Sequence, residues 1–377
     1  MKIYTEKELL KLAKRVNNTK RTYLLVDPLQ AKHMPVSPAT ALEMMSALGK
    51  KLADKYSETR LVIGFAETAT AIGAEVSRCI SDECIYINTT REKIKSSSIL
   101  GFLEEHSHAA EQNISAENLK KFISETETVI FVDDELSTGK TLINIINCMK
   151  NIFPELAEKT IAAASVINRV SDENIELMRA NGIECESLLK IENTDYTKAV
   201  EDFDVKESEP YRKCSETADY RRKVTLADTR HGVKIGDYAK SLEEIGRNFC
   251  ENEKENIKGR VLVLGTEEFM YPSIILGKMI EESGLAESVC CHASTRSPVG
   301  ISTAENYPLN KGYKIHSFYE NERTNYIYNI EKYDTAVIFT DTKNYVKDAE
   351  NDLVGILREN GCDNIYIIEG ESNVQHI

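Results

Sequence analysis

The chain alternates, twice over, between short β-branched runs and stretches with helical spacing, and this alternation limits the fold more than any single residue does. Strands are expected at 22–26, 60–64, 84–88, 128–133 and 161–168 in the first half, and at 260–265, 288–293, 335–341 and 364–369 in the second. Helix candidates lie between them at 39–56, 71–80, 236–250, 273–282 and 346–360. After Gly139, the residues Leu142, Ile145, Ile146 and Met149 recur at i, i+3, i+4 and i+7, one face of a further helix. Apolar strands separated by helices call for α/β architecture, with parallel sheets covered on both faces. A length of 377 residues suffices for two such domains. The polar stretch 202–223 has little periodicity and reads as their connection. The expectation is a first domain over 1–205, a linker over 206–225 and a second α/β domain over 226–377.

A formal charge of -14 argues against a broad nucleic-acid face, so any phosphate ligand must be held by local donors. Nine cysteines are scattered without a CxxC pair, and the adjacent Cys290 and Cys291 read as core thiols. The opening "MKIYTEKELLKLAKRV" is charged, without the apolar core of a signal peptide, and no window approaches the ~20 apolar residues of a membrane helix. The expected setting is the reducing cytoplasm, with no membrane partner.

The stretch "TVIFVDDELSTGKTLINII" (128–146) carries the chemistry. Its Gly139-Lys140-Thr141 invites a P-loop reading, but Asp134 stands where that loop needs its first glycine, and a carboxylate there would repel a β-phosphate. Read as strand, acidic pair, small-residue turn and helix, it makes different sense. Ser137, Thr138, Gly139, Lys140 and Thr141 open a helix whose unpaired N–H groups and dipole favour an anion. Asp133 and Asp134, acceptor-only when ionised, suit the vicinal hydroxyls of a sugar. Anion donors beside diol acceptors read a ribose 5-phosphate.

"VIFVDDELSTGKT" (129–141) resembles the 5-phosphoribosyl-1-pyrophosphate (PRPP) signature of type I phosphoribosyltransferases. The resemblance implies that Asp133 and Asp134 hold the ribose hydroxyls, that Ser137 to Thr141 hold the 5-phosphate, and that Mg²⁺ is held mainly by PRPP and water. It also implies a pyrophosphate loop after an earlier strand, a place that "VIGFAETATAIG" (62–73) fits through Phe65, Ala66, Glu67, Thr68, Ala69 and Thr70. Glu67 departs from the family, where many relatives carry Arg or Lys. The region 88–112 matches a mobile flap, with Arg91 as a catalytic candidate. Lys93, Glu105, His106 and His108 are candidates for the flap and the acceptor, joined by Lys32 and His33 from the proline-bearing stretch 27–44. The two flap histidines lack the i, i+4 spacing of a helical zinc site.

The C-terminal half carries Ser294-Thr295-Arg296-Ser297-Pro298, with "VLVLGTEEFMYP" (261–272) and "ADTRHG" (227–232). With these, nearly the whole chain resembles the phosphoribosyltransferase joined to a TRSP domain, found with tellurite-resistance and stress gene clusters. That implies transfer of the phosphoribosyl group to a base-like small-molecule acceptor with release of pyrophosphate. A PRPP-sensing regulator without catalysis, or a scaffold of a stress-response assembly, is the alternative. A homodimer or products of the gene cluster are the implied protein partners.

The second half also reads as a degenerate repeat of the first. "LVIGFAETA" (61–69) parallels "LVLGTEEFM" (262–270), "IYINTTR" (85–91) parallels "CCHASTR" (290–296), and "VIFVDD" (129–134) parallels "VIFTDT" (337–342). The phosphate loop is missing from the second copy. Glu267, Glu268, Thr295, Arg296, Ser297 and Asp341 remain as a candidate second site for a polar small molecule.

Overall fold

The apolar runs assemble into two parallel sheets with one strand order between them. The structure, a computed structural model, describes residues 2–16, 18, 21–102, 112–211, 216–342 and 345–373. In the first half the order is Ile85–Asn88, Thr59–Gly64, Thr128–Leu136, Thr160–Asn168, Ile183–Lys190. In the second it is Ser288–Ala293, Arg260–Gly265, Thr335–Thr340, Asn364–Asn373, Tyr220–Ala227. All pairs among these strands are parallel. Each half also inserts an antiparallel pair before its central strand, Ile99–Phe102 with Gln112–Ser115 and Gly312–His316 with Thr324–Tyr328. The shared order is what duplication expects. The fifth strand differs: Ile183–Lys190 follows the first half's core, whereas Tyr220–Ala227 precedes the second's.

The helices form where the sequence places them. Ser37 caps Pro38–Lys55, its Oγ accepting from Thr40 N–H at 3.2 Å, with Pro38 in the first turn where no N–H is needed. Helix Lys140–Ile152 buries Leu142, Ile145, Ile146 and Met149, the face read from their spacing. Pro38–Lys55 packs on Tyr271–Ser283, and Ala69–Ile80 packs on Ile235–Glu253. Exchanging the halves exchanges these two contacts, the relation a two-fold axis imposes. One apolar core runs through both, joining Leu48, Val62 and Ile72 to Val261, Ile275 and Val337. No helix among the described residues is long and apolar enough to cross a membrane.

Two expectations are corrected here. The strand at 22–26 forms as Tyr23–Val26 but pairs antiparallel with Lys11–Lys14, outside the parallel sheet. The stretch 206–225 is not a plain connection. Glu209–Pro210 pairs with Gly312–His316, and Tyr220–Ala227 is an edge strand of the second sheet. Just beyond it, Val233–Lys234 adds to the edge of the first sheet.

Candidate functional site

The central strand of the first sheet is buried from Thr128 to Val132 and emerges from the core at Asp133 and Asp134. Its neighbour ends at Gly64, in register with Val132, so both chains leave the sheet side by side, where open parallel sheets place their ligands. Phe65 N–H donates to Val132 O at 2.9 Å, and Ala66 N–H donates to Thr89 Oγ1 at 2.9 Å. The loop after the central strand turns at Gly139, whose φ of 72° is left-handed. A cleft of about 630 Å³ opens above these ends. Asp133, Asp134, Ser137, Thr138, Gly139 and Thr141 line it, together with Phe65 to Thr68, His33 and Arg91.

Some expected site residues lie elsewhere. Lys140 is exposed and outside the cleft lining, because the helix that begins there turns its side chain to solvent. Ala69 and Thr70 are buried in the first turn of Ala69–Ile80, and Thr70 Oγ1 donates to Glu268 O at 2.7 Å. Lys32 was expected to reach an acceptor. Instead it is 1 % exposed, pairs with Glu67, and donates to Glu267 O at 2.7 Å and Ser294 O at 2.9 Å. Lys93 is exposed, 4.0 Å from the Glu320 carboxylate. Glu105, His106 and His108 lie outside the described residues. Among the described residues, no three His, Cys, Asp or Glu side chains converge on a metal position.

Glu67 is paired with Lys32. Burial works to raise the Glu67 pKa, but Lys32, Arg296 and Arg91 outweigh it and hold the carboxyl below its ordinary value. Asp134 shifts the other way, raised by burial with Glu135 adding to the effect. Burial, followed by Lys32, pushes His33 down to about 3, so it is a neutral imidazole facing the cleft.

The cleft also holds residues that sequence reasoning missed. Arg15 and Arg21 flank the turn of the N-terminal hairpin and line it, with Arg21 Nη2 donating to Glu135 Oε1 at 2.8 Å. A basic run in an acidic chain, Lys14-Arg15 and Lys20-Arg21, was the signal available. Arg323 lines it too, from a loop with no pattern of its own.

The expected second site comes apart. Arg296 follows the end of strand Ser288–Ala293 and lies 3.3 Å from Glu267, as the repeat implies, but it lines the first cleft with Thr295 and Ser297. Asp341 pairs instead with Arg230 and accepts from Tyr319 OH. Arg230 also pairs with Asp228 at 2.7 Å and lies 3.9 Å from Glu268. Arg230, Asp228 and Asp341 border a cavity of about 20 Å³, room for about one water and not for a ligand.

The sequence profile of the phosphoribosyl transferase family matches residues 9–194. That of the TRSP domain, described as C-terminal to it, matches residues 227–357. The chain belongs to the phosphoribosyltransferases fused to a TRSP domain. It is 23% identical over 165 residues to the xanthine phosphoribosyltransferase of Heliobacterium modesticaldum, covering 44% of this chain and 84% of that one. Among solved structures, the adenine phosphoribosyltransferase of Giardia lamblia complexed with 9-deazaadenine is 15% identical. That likeness covers 51% of this chain and 98% of the other, with a TM-score of 0.37. The orotate phosphoribosyltransferase of Aeropyrum pernix is 14% identical over 50% of this chain and 92% of the other, with a TM-score of 0.31. The cleft thus draws its lining both from the range matched by the transferase family and from the TRSP range.

Proposed function

We propose that the protein transfers the phosphoribosyl group of PRPP to a nitrogen of a base or base-like small molecule. The C–N bond forms at the anomeric carbon as the C–O bond to pyrophosphate breaks, and the acceptor nitrogen gives up its proton. One observation carries the reading: a helix start with Ser137, Thr138 and Thr141, the carboxylates of Asp133 and Asp134, and the 65–68 loop line one cleft. In this reading the helix start takes the 5-phosphate, the dyad accepts from the ribose hydroxyls, and the 65–68 loop with Arg91 faces the pyrophosphate. Holding both reactants in line accounts for much of the rate, and fixed dipoles stabilise the oxocarbenium-like transition state. Asp134, in the same cleft, is the carboxylate we assign to receive the acceptor's proton. The acceptor side is the N-terminal hairpin with His33 and Leu25. Asp133 and Asp134 are hard oxygen donors of the kind that suits Mg²⁺, directly or through water, and the ion when bound would neutralise phosphate oxygens.

The relative acting on xanthine makes purine-like bases the first acceptors to try. Incubation with PRPP, Mg²⁺ and a panel of bases, then with cell extract, is expected to release pyrophosphate and yield a ribosylated product visible by mass spectrometry. Tight PRPP binding with no product from any source would replace the transferase with a PRPP sensor. The setting we propose is the cytoplasm, beside products of a stress-response gene cluster, which pull-down of those products would test.

A further inference from the structure

The 65–68 loop lines the cleft with the carboxylate of Glu67 where a diphosphate would call for a cation, in a chain of net charge -14. Lys32 does not supply that cation toward the ligand, since its ammonium is enclosed by Glu67 and two backbone carbonyls. Arg296 and Arg323, both from the TRSP half, line the cleft on that side. Arg296 Nε lies 3.8 Å from Glu67 Oε2, and its Nη2 pairs with Glu92, next to Arg91. Arg323 Nη2 donates to Glu92 Oε1 at 2.8 Å and to Glu267 Oε2 at 2.9 Å. Glu92 and Glu267 are buried and hold both guanidinium groups in place, while Arg323 also donates to Ser317 Oγ from Nε at 3.1 Å and lies 3.4 Å from Glu320 through Nη1.

A guanidinium has five N–H groups in a rigid fork, so these contacts leave Arg296 with donors to spare. The segment that carries it is fixed to the transferase half. Gly300 N–H donates to Lys14 O at 2.8 Å, Val16 N–H donates to Pro298 O at 3.4 Å, and Arg15 and Val299 form a β-bridge. The second half is placed against the first as a second subunit would be, by exchange of equivalent helix contacts.

We propose that the TRSP motif completes the diphosphate subsite of the transferase cleft, with Arg296 and Arg323 binding the pyrophosphate moiety and Glu92 and Glu267 as their positioning residues. The proposal rests on the transferase reading above. It assigns the second domain a direct part in substrate binding, in place of a separate ligand site.

Titration calorimetry with inorganic pyrophosphate, PRPP and ribose 5-phosphate separates the parts. R296A is expected to weaken pyrophosphate and PRPP by about tenfold or more, the size of a lost charged hydrogen bond, and to leave ribose 5-phosphate nearly unchanged. R296K, which keeps the charge but loses the fork, should fall between. Thermal unfolding checks that the variants fold. Should R296A fail that check, R296K and Arg323→Lys carry the comparison, together with wild-type protein in which pyrophosphate protects Arg296 from phenylglyoxal. Unchanged pyrophosphate affinity in folded variants, or equal loss of ribose 5-phosphate, overturns the proposal. Wild-type protein that binds pyrophosphate but neither PRPP nor ribose 5-phosphate overturns the transferase reading and leaves the subsite standing. Binding of none of the three overturns both.

Discussion

Asp27 carries a clear pH signature at the residue scale. Burial pushes its pKa up to about 8, with Asp134 adding to the push against the Leu29 N–H that donates to Oδ1 at 2.8 Å. The folded value lies above the ordinary 3.8, so the folded state binds the extra proton. The stability this contributes is complete below about pH 4 and is lost as pH rises toward 8. Asp27→Asn stays neutral throughout. It should therefore gain on the wild type by several kcal/mol between pH 4 and 8, at ~1.4 kcal/mol per pH unit. Urea unfolding at pH 5 and pH 9 measures this, and an equal gap at both would show that Asp27 ionises normally. The acidic dyad gives a second prediction. Asp133→Asn with Asp134→Asn should weaken PRPP binding by about tenfold or more, because an amide accepts less strongly from a diol and carries no charge. Undiminished Mg²⁺-dependent binding would remove both residues from the sugar site. Asp133 and Asp134 could be read from the sequence because their place is local, at the end of an apolar run. Arg323 and the fate of Lys32 could not, because each depends on what lies across the cleft.

The turn at Gly139 is the critical joint at the element scale. It links the end of the central strand to the helix start that would take the phosphate. A Cβ there would meet Met178 Sδ at 2.5 Å, on a backbone already left-handed at φ 72°. Gly139→Ala should cost about 1–2 kcal/mol from backbone conformation, with further loss unless Met178 yields. It should also weaken ribose 5-phosphate, since the helix start would shift. Chemical denaturation and calorimetry check the two effects, and a variant with wild-type stability and affinity would deny the turn its role. Most elements were legible because buried strands and amphipathic helices write their period into the chain. Ile183–Lys190 and Tyr220–Ala227 were not. Both lie at sheet edges and are mostly exposed or half-buried, so charged residues interrupt their apolar pattern.

At the scale of the whole molecule, each half has an apolar cluster of its own and the two share a third that runs between them. Residues 1–205 alone would expose the faces of Pro38–Lys55 and Ala69–Ile80 that pack on the second half, and would lose the strand Val233–Lys234 from the sheet edge. Expressed alone, that fragment is expected to self-associate or aggregate, and to lack tight PRPP binding. Size-exclusion chromatography with thermal unfolding tests this. A monomeric fragment that unfolds cooperatively and binds PRPP as the full chain does would mean that the halves are independent.

The sequence by itself determined the α/β class, most strands and helices, the dyad at Asp133 and Asp134 and the turn after it, because each is written in local period or adjacent residues. The shared strand order was legible for a related reason: the two halves carry similar strand-end sequences in the same order. Only the tertiary structure decided that Arg296 faces the first cleft and Asp341 does not. It also decided that Lys32 neutralises Glu67, and that Arg230 fills the place a second ligand would need. Those outcomes turn on ion pairs between residues far apart in the chain. Burial makes pairing obligatory, and the packing of one half on the other selects the partner.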